Sequence, residues 1–218
     1  MLGAITDVKG GLGDRKKVLL VESALILAGI IFSPVASAEE PARPVAAQAE
    51  SLYRAIDEGR LSMAELDNHQ KSLLRAYTTP GELIVKRLPQ PSNLSTKLFA
   101  QGGADYCRKD GARFEQKAVM GNTLYTYWQT VEICGTPGKK IKNVKVLDHG
   151  GETSTPTWSY RGSASNPASY AVGAGWFVRT SENFEQSIVV DGIGAGQRTV
   201  CISATIRPSG EYNASERC

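Results

Sequence analysis

Two kinds of hydrophobic spacing divide the chain. Across residues 49–78, apolar side chains recur every three or four positions, which is typical of amphipathic helices. From about Leu94 onward this period disappears, and short runs of β-branched and aromatic residues alternate with turn residues. The pattern therefore predicts a short helical hairpin over residues 49–78 and a mainly β domain over residues 94–218.

The predicted hairpin contains its own stop and start signals. The pair Glu58-Gly59 predicts the end of a first helix. Ser62 and Glu65 have the spacing of a capping box, so a second helix is expected to begin there. The apolar stripe of that helix consists of Met63, Leu66, Leu73, Leu74 and Tyr77. We interpret the hairpin as a packing appendage or spacer, with a partner-binding hairpin as the alternative.

Short strand-like runs separated by turn residues follow the hairpin. Residues 79–93 contain three prolines and are expected to be a linker that holds one strand at most. Several short strands at the spacing seen further on predict an antiparallel β-sandwich, or a barrel-like domain. The candidate strands cover residues 123–134, 141–148, 157–161, 170–180, 185–191 and 198–207.

A glycine-rich stretch within the β region follows an apolar run, as the glycines of many phosphate-binding loops do. It lies in the segment SIVVDGIGAGQRTVCI, with glycines at positions 192, 194 and 196. A phosphate loop needs a helix after its glycines, because the helix N-terminus supplies the backbone donors. The residues that follow, 198–207, alternate instead with a period of two. We therefore predict a hairpin loop between two strands.

The N-terminal 38 residues have the order of a secretory signal. A basic start is followed by an apolar run from Val18 to Phe32, and then by the small residues of an A-x-A cleavage site that ends at Ala38. A retained membrane anchor is the alternative. The run is shorter than the roughly 20 residues of a membrane span, and Glu22 interrupts it. We predict a signal peptide over residues 1–38, a flexible leader over residues 39–48, and no membrane span after cleavage.

Four cysteines follow the predicted signal: Cys107, Cys134, Cys201 and Cys218. An even number in an exported chain predicts two disulfides. Cys134 and Cys201 alternate out of phase with the apolar residues of their own strands, which suits a bridge on an outer sheet face. Cys134 with Cys201, and Cys107 with Cys218, are the pairs we expect, although the other connectivities remain open.

Charge and histidine content bear on which partners are expected. Removal of residues 1–38 takes four basic and three acidic residues, so the formal charge falls from +3 to +2. A nucleic-acid partner is not expected, because such proteins usually carry a strong positive field. His69 and His149 are far apart and lack ligand-spaced partners, so neither a metal site nor a cofactor is predicted.

No arrangement of residues predicts a catalytic site. The chain has no G-x-S-x-G motif, and Asp148 and His149 would point to opposite faces of one strand. We interpret these two residues as a strand end that runs into a Gly150-Gly151 turn. The carboxylates of the β region single out no glycosidase pair; they are Glu115, Glu132, Asp148, Glu152, Glu182, Glu185 and Asp191.

Aromatic residues are the remaining candidates for function. Several of them share strand faces, and an aromatic platform on a strand can bind sugar rings by stacking. The alternative is that they fill the core of a sandwich. The candidate ligand-binding residues are Tyr125, Tyr127, Trp158, Tyr160 and Trp176.

The order of motifs along residues 121–206 resembles small secreted β-rich proteins of actinobacteria whose function is uncharacterised. The shared pattern is an aromatic strand that leads to a cysteine, a later W-S-Y-x-G and a further cysteine. The matching residues are Leu124, Tyr125, Tyr127, Cys134, Trp158, Ser159, Tyr160, Gly162 and Cys201. The resemblance implies a secreted β fold and no catalytic residue. The longer segment CGTPGKKI departs from the pattern and leaves the register of the following strand open.

Together these features predict an exported, non-catalytic binding protein at the cell surface or outside the cell. The expected ligand is a wall polysaccharide or a secreted or surface protein. Two alternatives remain. One is a cell-envelope hydrolase that uses an unrecognised carboxylate pair, and the other is a secreted inhibitor or effector.

Overall fold

The computed structural model describes residues 42–89, 105–136, 138–190 and 193–218. The predicted signal peptide lies outside these residues. Within the described ranges, no helix has both the length and the apolar character needed to cross a membrane.

The described residues form two α-helices, a single turn of 3-10 helix at Met63–Glu65, and nine strands. The helices are α1 (Ala42–Asp57) and α2 (Asn68–Thr78). The strands are β1 (Pro80–Arg87), β2 (Tyr106–Ala118), β3 (Thr123–Thr136), β4 (Lys140–Thr153), β5 (Trp158–Ser163), β6 (Ala168–Val172), β7 (Gly175–Val190), β8 (Ile193–Ile206) and β9 (Tyr212–Glu216).

The strands form two antiparallel sheets. The first has the order β1-β2-β3-β4, and the second has the order β5-β7-β8-β9, with β6 paired to the other half of β7. The prediction of a mainly β, antiparallel fold after a helical hairpin is confirmed, and the described strands do not close into a barrel.

The core lies between the two sheets because the strands alternate as expected. On β3, Val131 and Ile133 are buried, while Glu132 between them is partly exposed. On β8, the residues facing inward are Val200, Ile202, Ala204 and Ile206. Aromatic rings fill the middle of the core, and Phe114 stacks on Tyr127 with 5.2 Å between ring centroids.

Both helices of the hairpin begin at residues other than those predicted. Helix α1 begins at Ala42, inside the predicted leader. The Ser62–Glu65 capping box exists, but it caps only the 3-10 turn. Helix α2 begins at Asn68 because Asp67 is a second N-cap, whose side chain accepts a hydrogen bond from the backbone N–H of Gln70 at 2.7 Å.

The helical hairpin packs against the second sheet. Tyr53, Leu66 and Leu74 form an apolar cluster with Ile188 of β7. The indole N–H of Trp158 donates to the carbonyl oxygen of Thr78 at 3.2 Å, which holds the end of α2 to β5.

Several strand predictions were incomplete. The predicted linker contains β1, which is paired along its length with β2. Strands β2 and β9 were not predicted. The predicted strand over residues 170–180 is two strands, because a turn at Gly173 with φ of 60° separates β6 from β7. Strand β7 then continues through the separately predicted strand over residues 185–191 as far as Val190.

The glycine-rich segment lies between two strands. Val190 pairs with Ile193 across an antiparallel hairpin, and Asp191 and Gly192 fall outside the described residues. Strand β8 begins at Ile193 rather than at residue 198, so Gly194 and Gly196 belong to the strand and not to a loop.

The predicted disulfide pairing is wrong. The bridges are Cys107–Cys134, with a Cα–Cα distance of 4.1 Å, and Cys201–Cys218, with a distance of 5.1 Å. Cys134 and Cys201 do lie on outer faces, but of different sheets. A bridge between them would have to cross the sandwich, whose sheets pack about 10 Å apart. Cys107 is instead the direct register partner of Cys134.

Candidate functional site

Three of the five predicted ligand-binding aromatics are core residues. Tyr125 and Tyr127 are fully buried and Trp158 is nearly so. Tyr125 lies 4.9 Å from the ring of Trp158 and stacks on Phe184 at 4.2 Å, measured between ring centroids. Their faces are thus covered by other rings, and no face is free for a sugar.

The other two, Tyr160 and Trp176, are partly buried and pack against the same core. The Trp176 indole N–H donates to Ser169 Oγ at 2.8 Å, and the Tyr160 hydroxyl donates to a Glu182 carboxylate oxygen at 2.6 Å. The five residues therefore do not form one surface.

An exposed aromatic surface lies on the hairpin of β6 and β7. It consists of Tyr170, Val172, Phe177 and Arg179, and we call it the hairpin face. Tyr170 is 52% exposed and Val172 is 56% exposed. Tyr170 is the register partner of Phe177, which brings the two ring centroids to 5.2 Å. Both side chains point away from the core, because the inward row of β7 is Trp176, Val178 and Thr180.

Arg179 gives the hairpin face a positive charge. Its guanidinium lies over the Phe177 ring at 5.3 Å from the centroid, and its Nε donates to Ser203 Oγ at 3.1 Å. Arg179 forms no ion pair with any residue that the structure describes. The sequence holds a usable signal for this face, since Phe177 is two residues from an arginine and should share its outward side.

A buried polar cluster occupies the opposite, inner side of β7. The Glu182 side chain is only 1% exposed. Its carboxylate lies 2.6 Å from His149 Nδ1 of β4 and accepts hydrogen bonds from Tyr160 and, at 3.3 Å, from Ser163 of β5. The cluster therefore connects the two sheets where β4 passes β5.

The turn predicted for the Asp148–Gly151 segment is wrong. Gly150 and Gly151 lie within β4 and form no turn. Gly151 is needed there because a Cβ atom would lie 2.5 Å from Phe184 Cζ. As predicted from strand alternation, Asp148 does not orient His149; it accepts instead from the Trp128 indole N–H at 2.8 Å.

The cluster is not a Ser-His-acid triad. In such a triad, the histidine contacts the acid through one ring nitrogen and the serine through the other. Here Ser163 Oγ lies 3.5 Å from Nδ1, the same nitrogen that contacts Glu182. Nε2 has no hydrogen-bond partner among the described residues.

A second buried polar contact borders the cluster. Gln129 of β3 and Thr180 of β7 face each other across the core, and both are essentially inaccessible to solvent. The Gln129 Nε2 donates to Thr180 Oγ1 at 3.1 Å, and the Gln129 Oε1 accepts from the Tyr212 hydroxyl at 3.0 Å. Burial raises the pKa of Tyr212, so its hydroxyl stays protonated and remains a donor.

Comparison with family models, curated proteins and solved structures found no match for this chain. Within the described residues, no group of three or more His, Cys, Asp or Glu side chains could hold a metal ion.

Three of the seven carboxylates that the sequence offered as candidate acids form ion pairs with arginine or lysine. Glu185 contacts Arg161 at 2.5 Å, Glu115 contacts Lys86 at 2.6 Å, and Glu152 contacts Arg113. Such pairs are typical of polar surfaces. Asp191 lies outside the described residues.

We expect the free energy of unfolding to fall as the pH rises from about 10 to about 12. Burial raises the pKa of Tyr125 to about 12. Burial and the hydrogen bond to Glu182 raise the pKa of Tyr160 to about 12. Unfolded tyrosines ionise near pH 10. The unfolded state therefore releases protons first, and the stabilisation that is complete below about pH 10 is lost toward pH 12. Urea unfolding across this range measures the loss.

Replacing Tyr160→Phe should make this pH dependence shallower, because one raised pKa is removed. The matched control is Tyr170→Phe, which removes the same hydroxyl group from a half-exposed tyrosine on the outer side of the second sheet. Equal slopes for the two variants would show that burial of Tyr160 is not responsible.

Proposed function

We propose that this chain is an exported, non-catalytic binding protein whose hairpin face holds a sugar ring of a glycan. The observation that carries the proposal is the half-exposed Tyr170 ring, held against Phe177 on the outer side of the second sheet. The proposed platform therefore differs from the one predicted from the sequence, because its residues lie on the outer side of the second sheet and not on the side that faces the core.

The chemistry of the hairpin face suits a sugar. The C–H bonds on the apolar face of a pyranose carry partial positive charge, and the faces of aromatic rings carry partial negative charge. Tyr170 can offer such a face at little entropic cost, because Phe177 limits the positions of its ring. Val172, on the same face and two residues on, extends the apolar area beyond the ring.

Polar groups next to the aromatic rings can hydrogen-bond to sugar hydroxyls. Thr205 of β8 is the register partner of Phe177, and Asn213 of β9 is the register partner of Thr205. Both side chains are exposed on the outer side of the sheet. A ring stacked on Tyr170 would thus lie on a sheet face that offers a hydroxyl, an amide and the Arg179 guanidinium.

The two disulfides are compatible with an extracellular protein. We place the protein outside the cell or in the cell envelope on that basis and on the predicted signal peptide. In an oxidising environment the Cys201–Cys218 bridge, at the sheet that carries the hairpin face, stays formed.

Replacing Tyr170→Ala should reduce retention on the bound glycan by at least tenfold, because the stacking ring is lost. The measurement is retention of the purified protein on an array of wall polysaccharides and free glycans, followed by titration of the best ligand. The matched control is Val119→Ala, which removes an apolar side chain that is 64% exposed and far along the chain from the hairpin face.

Two results would contradict the proposal. One is that no glycan retains the unmodified protein. The other is that Tyr170→Ala and Val119→Ala bind a retained glycan equally well. If Tyr170→Ala instead abolishes capture of a surface protein while no glycan binds, the hairpin face is a protein interface and the glycan proposal is rejected.

A further inference from the structure

The buried contact between Gln129 and Thr180 brings together the two groups of an acyl-transfer reaction. A hydroxyl oxygen lies 3.1 Å from the nitrogen of a carboxamide, and both side chains are shut off from solvent. We propose that Thr180 Oγ1 attacks Cδ of Gln129 and that the two residues become joined by an ester bond.

The reaction needs no co-reactant. The bond from Thr180 Oγ1 to Cδ forms, and the bond from Cδ to Nε2 breaks. The hydroxyl proton of Thr180 passes to the departing nitrogen, which leaves as ammonia. No group is oxidised or reduced, and water is excluded from the site, so hydrolysis of the product is slow.

The surrounding residues supply what this step requires. As Cδ becomes tetrahedral, negative charge develops on Gln129 Oε1, which already accepts a hydrogen bond from the Tyr212 hydroxyl. A donor aimed at that oxygen stabilises the charge. Burial keeps Tyr212 protonated, so this donor is present at neutral pH and well above it.

His149 on the first sheet and Glu182 on the second are titratable residues that lie close in register to the reacting pair. His149 is the register partner of Gln129 on β4, and side chains that face each other in this way lie about 5 Å apart at Cβ. Glu182 follows Thr180 in the inward row of β7 and contacts His149 Nδ1 at 2.6 Å. The proposal assigns this histidine and carboxylate, one row away from the reacting pair, the transfer of the hydroxyl proton to the leaving nitrogen.

The bond would supply a connection that the disulfides do not. Cys107–Cys134 joins β2 to β3 within the first sheet, and Cys201–Cys218 joins β8 to the segment after β9 at the second sheet. Neither bridge links one sheet to the other. An ester between β3 and β7 would lock the two layers of the sandwich together.

The test is the intact mass of the exported protein, purified with its disulfides intact. We expect a mass that is lower than that calculated for the mature chain from its observed N-terminus, after correction for the two disulfides, by one molecule of ammonia. Proteolysis after reduction should yield one linked species that contains the Gln129 and Thr180 peptides. Hydroxylamine, which cleaves esters, should separate them.

Variants locate the bond. Thr180→Val and Gln129→Leu keep the side-chain size and should restore the full mass. Thr180→Ser keeps the hydroxyl and should retain the deficit, so the proposal is tested even if the Val variant fails to fold. Glu182→Gln should slow the appearance of the deficit after synthesis. A full mass in the unmodified protein, or a deficit that maps to other residues, would overturn the proposal.

Discussion

Converting Cys201 and Cys218 to alanine together should lower the free energy of unfolding by about 3 kcal/mol, and the same change at Cys107 and Cys134 should lower it by about 3.5 kcal/mol. These values follow from the sequence separations of 17 and 27 residues that the bridges close, because a bridge restricts the unfolded chain. The loss of both bridges, about 6 to 7 kcal/mol, is comparable to the whole stability of many domains.

Urea unfolding, followed by tryptophan fluorescence and by circular dichroism, measures both double variants and the quadruple variant. The control is Ser215→Ala, an exposed substitution on β9 beside the second bridge, which should change stability by less than about 0.5 kcal/mol. A quadruple variant that unfolds at the same urea concentration as the unmodified protein would show that the bridges do not limit the unfolded chain.

The hydrophobic period predicted the fold class because it depends on burial alone. One face of the strand formed by residues 198–207 is buried in the core. The alternation of Val200 and Ile202 with polar neighbours is therefore visible in the sequence. Strand β2 was missed because its inward row includes Arg108 and Asp110, which break the apolar alternation. The buried Asp110 contacts Arg108 on its own strand and Arg87 on β1, and the contact between strands is not visible from spacing.

The hydrophobic pattern also could not predict which distant segments pair with each other in the disulfides and in the buried polar cluster. Phase placed Cys134 and Cys201 correctly on outer faces but could not tell which sheet each face belonged to. The same limit applies to His149, whose carboxylate partner Glu182 is separated from it by 33 positions. A search for acids adjacent in sequence could only find Asp148, which faces the other way.

The sequence also could not predict which aromatic side chains are exposed to solvent. Tyr125, Tyr127 and Trp158 have the composition of a binding platform and also that of a sandwich core. Only the position of the opposing sheet decides between these, and it covers all three. Tyr170 is exposed for a related reason, because β6 is paired only with β7 and its outward side meets no other layer of the described fold.

Replacing Phe184→Ala should lower the free energy of unfolding by about 3 to 5 kcal/mol. Phe184 is fully buried, and its ring centroid lies 4.2 Å from that of Tyr125 and 5.4 Å from that of Tyr160. Its removal leaves a cavity among rigid rings, which cannot collapse to fill the space. Urea unfolding monitored by circular dichroism measures the change.

The matched control for this change is Phe177→Ala on the outer side of the same strand. Phe177 is partly exposed and contacts the half-exposed Tyr170, so its loss should cost less than half as much. The two variants remove the same atoms from β7, and they differ only in which side of the sheet loses them. Equal destabilisation would therefore mean that the interior between the sheets is not the main source of stability, whereas a large difference locates that source at the aromatic contacts around Phe184.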